Sequence, residues 1–196
     1  MTRIYRKSEQ PVMPWKNGRG MTREIYRFNH GPDMFLRVST AEVSESGPFS
    51  DYAGFDRTLL NLGPGVMQLL KDGSLFASLS PLEICHFEGS AQLSCEITQT
   101  CRDINVFYAK DKYFASTFVR RISKPEFIPL SATQGALIYV LQGALVVHDK
   151  RQKEFFLQAE EALVREPTDS VPDDRWMIVP ASNEDSLLAL VAFNRA

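Results

Sequence analysis

The sequence predicts an all-β protein built as a duplicated jelly-roll, and three observations predict it. Apolar segments are short, rich in β-branched and aromatic residues, and punctuated by Gly, Pro, Asn and Asp, as strands and their turns require. Helical periodicity is scarce. A strand, glycine turn, strand pattern also occurs twice, about 80 residues apart. A chain of 196 residues can remove roughly 70% of its unfolded surface from water. With 44% hydrophobic and 23% charged residues it needs no disulfide or metal staple to fold.

In chain order, Pro14 enforces an extended approach, and Thr22 and Glu24 then alternate with Arg23 and Ile25 as on a strand. Short strands are expected over 34–43, 58–62, 66–70, 92–98, 104–109, 113–120, 137–141, 144–148, 176–179 and 187–193. The repeat joins them into two sets. Leu60-Asn61-Leu62-Gly63-Pro64-Gly65-Val66 and Tyr139-Val140-Leu141-Gln142-Gly143-Ala144-Leu145 both read as tight hairpins. The stretches 82–88 and 160–166 follow, and 104–109 and 187–193 close the two copies. Lys124-Pro125-Glu126-Phe127-Ile128-Pro129 cannot be a central strand, because proline donates no ladder hydrogen bond. The units are therefore expected at 1–122 and 123–196.

A net charge of −2 gives no global drive toward nucleic acid or an anionic membrane. Arg3, Arg6, Lys7, Lys16, Arg19, Arg23 and Arg27 nevertheless crowd the start of the chain, and 154–185 is acidic, a pattern that suits pairing within the molecule. No apolar run reaches membrane-spanning length, and the first residues lack the apolar core of a signal peptide, so the expected location is the cytoplasm. The odd set Cys85, Cys95 and Cys101 reads as reduced packing residues. His30, His86 and His148 stand apart, so no metal and no other cofactor is expected. Nucleophile elbows, phosphate loops and dinucleotide fingerprints are absent from the sequence.

What remains is Met13-Pro14-Trp15-Lys16-Asn17-Gly18-Arg19-Gly20. Its glycines and Asn17 permit close backbone approach, Trp15 offers a flat face, Lys16 a point charge and Asn17 both donor and acceptor, which suits a small planar anion. The competing account is a turn with Trp15 plugging a barrel end. Arg37, Ser39 and Ala41 share one strand face, where an inward Arg37 needs an anionic partner and an outward one is simply solvated. Arg57, in Phe55-Asp56-Arg57-Thr58, either forks onto a ligand carboxylate or bridges to Asp56 or Asp51.

Met13-Pro14-Trp15-Lys16-Asn17-Gly18-x-Gly20-x-Thr22-Arg23-Glu24-Ile25 resembles the opening motif of the HutD/Ves family. The likeness continues through Arg37-Val38-Ser39, Gly47-Pro48-Phe49-Ser50, Phe55-Asp56-Arg57-Thr58-Leu59 and Asp103-Ile104-Asn105. Arg19 stands where the family commonly has a third glycine, and Val106-Phe107-Tyr108 replaces a run that leads to a Met and an Arg pair. The resemblance implies a bicupin, two cupin jelly-rolls in one chain, and a role in bacterial histidine utilisation. It also implies binding of a pathway intermediate such as urocanate or formiminoglutamate. Carried over residue by residue, the ligand site is Trp15, Lys16, Asn17, Thr22, Glu24, Arg37, Ser39, Arg57 and Asn105.

Three functions fit these residues. The first is a metal-free binding module for a small carboxylate that acts as a sensor or regulator. The second is an enzyme on the same ligand class, a hydrolase or isomerase, with Glu24 as general base. The third is a structural protein whose barrel is filled by side chains. No nucleic-acid or membrane partner is expected, and sheet edges make a homodimer possible.

Overall fold

The structure, a computed structural model, describes residues 2–15, 20–167 and 174–196. The chain opens with β1 (Thr2–Tyr5), a single 3-10 turn at Lys7–Glu9, β2 (Val12–Pro14), β3 (Gly20–His30), β4 (Asp33–Val43) and β5 (Gly47–Pro48). Next come β6 (Phe55–Gly63), β7 (Met67–Lys71), β8 (Ser74–Leu79), β9 (Ile84–Glu88), β10 (Leu93–Ile97) and β11 (Cys101–Ala109). The second half holds β12 (Tyr113–Ile122), β13 (Glu126–Leu130), β14 (Gly135–Gln142) and β15 (Ala144–His148). It ends with β16 (Glu154–Gln158), β17 (Ala162–Arg165), β18 (Asp174–Pro180) and β19 (Ser186–Arg195).

Two compact units result, Gln10–Tyr113 on one side and Met1–Glu9 with Phe114–Ala196 on the other. In the 10–113 unit the sheets run β2-β3-β4-β11-β6-β9 and β5-β10-β7-β8. In the other unit they run β1-β17-β14-β19-β12 and β13-β18-β15-β16. The order β4-β11-β6-β9 thus recurs as β12-β19-β14-β17, and β5-β10-β7-β8 as β13-β18-β15-β16. Eight strands of each unit correspond in this duplicated all-β jelly-roll.

The units differ from the expected 1–122 and 123–196 at both ends of the first. Residues 2–5 pair with Ala162–Arg165, so the chain start completes the sheet of the later unit. Arg6 bonds Glu161 at 2.6 Å and Lys7 pairs with Glu160, which joins the basic start to the acidic stretch. Strand β12 belongs to the later unit because its sheet order places it beside β19.

The two glycine turns are not hairpins. Strand β6 pairs with β11 and β9, whereas β7 pairs with β10 and β8 in the opposite sheet. Likewise β14 pairs with β17 and β19, and β15 with β16 and β18. Each glycine turns the chain from one sheet to the other, with φ of +83° at Gly63 and +79° at Gly143. A hairpin and a sheet-to-sheet corner ask for the same residue, so the local pattern cannot tell them apart. At the first corner Asn61 Nδ2 donates to the carbonyls of Gly65 and Leu79, each at 2.8 Å, while Asn61 Oδ1 accepts from Gly63 N–H.

Strand β13, which follows Pro125 and contains Pro129, lies at a sheet edge beside β18. The later unit closes on a continuous apolar core that includes Ile138, Val140, Leu157, Leu163, Trp176, Leu188 and Leu190. The 10–113 unit has a smaller apolar cluster of Val43, Leu59, Met67, Leu69, Leu79, Cys95 and Cys101, which occupies part of its barrel.

Candidate functional site

Alternation along three neighbouring strands builds the site. Arg37 of β4 is opposite Phe107 of β11, which is opposite Arg57 of β6. The next two rows are Ser39, Asn105, Leu59 and Ala41, Asp103, Asn61. Side chains two apart point to one face of a sheet, so these rows share a face. Leu36, Val38, Ile104, Val106 and Leu60, also buried, take the other. The polar face looks into a cavity of about 580 Å³. Its wall includes Pro14, Trp15, Thr22, Phe49, Tyr52, Arg37, Ser39, Arg57, Asp103, Asn105 and Phe107.

Six of the nine residues proposed from the sequence therefore converge: Trp15, Thr22, Arg37, Ser39, Arg57 and Asn105. Lys16 and Asn17 lie outside the described residues, as does Arg19. Glu24 stands behind Arg37, accepting from its Nε at 2.9 Å and from Arg27 at 2.8 Å. Burial would raise the Glu24 carboxyl, but the hydrogen bonds and charge of Arg27 and Arg37 outweigh it and hold the group below its ordinary range. Arg37 also donates to the Tyr52 hydroxyl at 3.2 Å. The inward Arg37 has the anionic partner that its position demands.

Trp15 lies between the apolar cluster and the cavity. Its indole N–H donates to Thr22 Oγ1 at 2.8 Å, and its ring packs on the apolar cluster while forming cavity wall. The backbone closes there because Trp15 N–H donates to the Gly20 carbonyl at 2.9 Å.

Arg57 makes no carboxylate bridge to Asp56 or Asp51. It is 6% exposed, and its Nε donates to Asn105 Oδ1 at 2.9 Å, with a second donor on the same oxygen. The guanidinium carbon lies 4.3 Å from the ring centre of Phe49, 5.0 Å from Phe107 and 5.2 Å from Phe87. Aromatic faces stabilise a cation but supply no counter-charge. Burial pulls the Arg57 pKa down to about 10, against the opposing charge of Asp103. The group stays cationic at neutral pH.

Asp103 was not proposed, although it begins the Asp103-Ile104-Asn105 triplet. It is 1% exposed and accepts from Asn105 Nδ2 at 2.6 Å. Burial pushes its pKa up to about 6, with Arg57 opposing. The signal available for it was parity, since Asp103, Asn105 and Phe107 must share a face. Asn105 itself spends both ends of its amide, oxygen toward Arg57 and nitrogen toward Asp103.

The duplicated fold shows what these residues replace. Asn61 and Val140 are equivalent, because Asn61 N–H donates to Glu83 and its carbonyl accepts from Leu82, as Val140 does with Glu161 and Glu160. Register then matches Asp103 to Leu188, Asn105 to Leu190 and Arg57 to Ala136. Apolar side chains fill the later barrel where polar ones line the earlier cavity. Among the described residues no group of three or more His, Cys, Asp or Glu side chains could hold a metal ion. Cys95 and Cys101 are buried, and burial, followed by the charge of Asp103, pushes the Cys95 thiol up to about 12, which favours the neutral thiol. Among the described residues no helix is long and apolar enough to cross a membrane.

The chain is similar to proteins of several bacteria. A 21.2 kDa protein of Pseudomonas putida from the hutC 3' region is 41% identical over 115 residues, 57% of this chain and 60% of that protein. The match thus spans less than two thirds of that relative. Protein Ves of Cronobacter sakazakii is 30% identical over 144 residues, 72% of this chain and 77% of the other. Among solved structures, a conserved protein of unknown function from Pseudomonas aeruginosa superposes with a TM-score of 0.89 at 28% identity, covering 99% of both chains. HutD from Pseudomonas fluorescens gives 0.80 at 25% identity over the full length of each. An oxalate decarboxylase of Lactobacillus farciminis gives 0.70 at 10% identity, with 97% of this chain and 85% of that one covered, a likeness of fold. A cupin barrel protein of Leptotrichia buccalis, at 0.54 and 12% over 95% and 96% of the chains, shares the fold as well. The two jelly-rolls are a bicupin, and with the HutD family model matching residues 7–177, the chain belongs to the HutD family.

Proposed function

We propose that the protein binds a small carboxylate in the cavity of its 10–113 unit, without a metal, and acts as a cytoplasmic sensor or regulator in bacterial histidine utilisation. Arg57 carries this reading. A buried guanidinium whose described partners are one amide oxygen and three rings has donors and charge to spare at a cavity wall, and a carboxylate is the group that fits its planar fork. Trp15 and Phe107 offer flat walls for a planar or aliphatic remainder. The pathway assignment rests on the family and on the relative from the hutC 3' region. The P. fluorescens HutD structure is described as a formate condition, formate being the smallest carboxylate. Urocanate and formiminoglutamate are the candidate ligands.

One observation favours an enzyme instead. Asp103, buried in the wall with its pKa pushed up to about 6, is poised for proton transfer near neutral pH. Glu24, held ionised by two arginines, is not.

Calorimetric titration with urocanate, formiminoglutamate, histidine and formate decides, with each ligand also followed for consumption. Saturable binding without turnover, lost in Arg57→Ala, is the expected result. Consumption would favour the enzyme, and no binding by any ligand would sink the carboxylate reading.

A further inference from the structure

The cavity has two poles held apart. Arg57 and Asp103 are both buried and both line it, yet they form no ion pair; Asn105 stands between them. The Asn105 oxygen takes Arg57 Nε–H at 2.9 Å and its nitrogen gives a hydrogen to Asp103 at 2.6 Å. The amide is thereby oriented, and neither charge is cancelled by contact with the other. A carboxylate has about four acceptor positions. Among the described residues Asp103 receives Asn105 and the backbone N–H of Ala41, which leaves acceptor capacity for a donor in the cavity.

Structure alone does not require these charges. Their counterparts in the other jelly-roll are Ala136, Leu188 and Leu190, all buried. Replacing buried ionic groups by apolar ones of similar size is commonly neutral or stabilising, so their presence points to a ligand. The second cavity arginine, Arg37, shares the Glu24 carboxylate with Arg27. One open cationic pole at Arg57 and one anionic pole at Asp103 describe a receptor for an unsymmetrical molecule.

We propose that the cavity selects a small ligand bearing a carboxylate at one end and an N–H donor at the other, with Asp103 as the residue that selects the donor end. This rests on the carboxylate reading above and adds the second half of the ligand. A simple monocarboxylate pairs with Arg57 but offers no donor to Asp103.

The test compares urocanate with 3-(2-furyl)acrylate, which keeps the acrylate arm and a five-membered ring but has no N–H, using propionate as a carboxylate control. Wild-type protein is expected to bind urocanate roughly tenfold or more tightly than the furyl compound, since a site that hydrogen-bonds a donor rejects analogues lacking it. In Asp103→Leu, which copies the residue at 188, the preference falls to about twofold or less while carboxylate binding persists. Asp103→Val, which also lacks an acceptor, serves if the Leu variant does not fold. Equal affinities in the wild type overturn the proposal without touching the carboxylate reading, as does an unchanged preference in a folded variant. Failure of all three compounds to bind overturns both.

Discussion

Arg57 and Asp103 show how far a single side chain's environment departs from its sequence neighbourhood. In sequence Arg57 sits beside Asp56, yet strand alternation sends the two to opposite faces, and Arg57 reaches Asn105 instead. Asp103 carries a pH dependence whose sign follows from burial. Its native pKa of about 6 lies above the ordinary 3.8, so between these values the folded protein keeps a proton that the unfolded chain has lost. Its ionisation therefore costs stability as pH rises from about 4 to 6, by roughly 3 kcal/mol in all, and nothing further above that range. The melting temperature of Asp103→Asn, minus that of the wild type, should grow from pH 4 to pH 7 and then level. A difference that stays flat across the range would show that Asp103 is not buried as an acid.

At the scale of elements, the entry of β3 positions Trp15. A Cβ on Gly20 would overlap the Glu42 carbonyl oxygen and stand 3.0 Å from the Trp15 ring. Gly20→Ala should therefore push Trp15 off the cavity wall and weaken carboxylate binding several-fold, by about 1 kcal/mol. Fluorescence reads this directly, because the chain has two tryptophans and the other, Trp176, is fully buried in the other unit's core. An unshifted emission spectrum together with full affinity would show that β3 tolerates the extra carbon. The glycine corners belong to this scale too. Gly143 holds a positive φ, and a Cβ there would stand 2.6 Å from Ser186 Oγ, so its constraint is both conformational and steric.

At the scale of the molecule, the two barrels differ in what occupies their centres. The later barrel is filled by Trp176, Ile138, Leu188 and Leu190, as a stable core requires, while the earlier one keeps its centre open and charged. Ligand binding should accordingly protect amides of 13–57 and 103–107 from hydrogen exchange and leave 126–193 at its free rates. Equal protection in the later barrel would place the ligand elsewhere.

The sequence by itself determined the all-β class, the repeat and part of the cavity wall, because strand alternation and turn residues are local signals with a fixed geometric meaning. Arg37 and Ser39 could be put on one face from parity alone, Trp15 and Arg57 stood out by their own chemistry, and Thr22 and Asn105 came from the resemblance. Only the tertiary structure decided that the glycine turns are corners, since sheet membership depends on distant partners. It also decided that residues 2–5 complete the later unit, that Glu24 pairs with Arg37 as well as Arg27, and that Asn105 is oriented between two buried charges. Burial raised Asp103 from an ordinary strand residue to the centre of the site, and burial is a property of the packed molecule that no single segment carries.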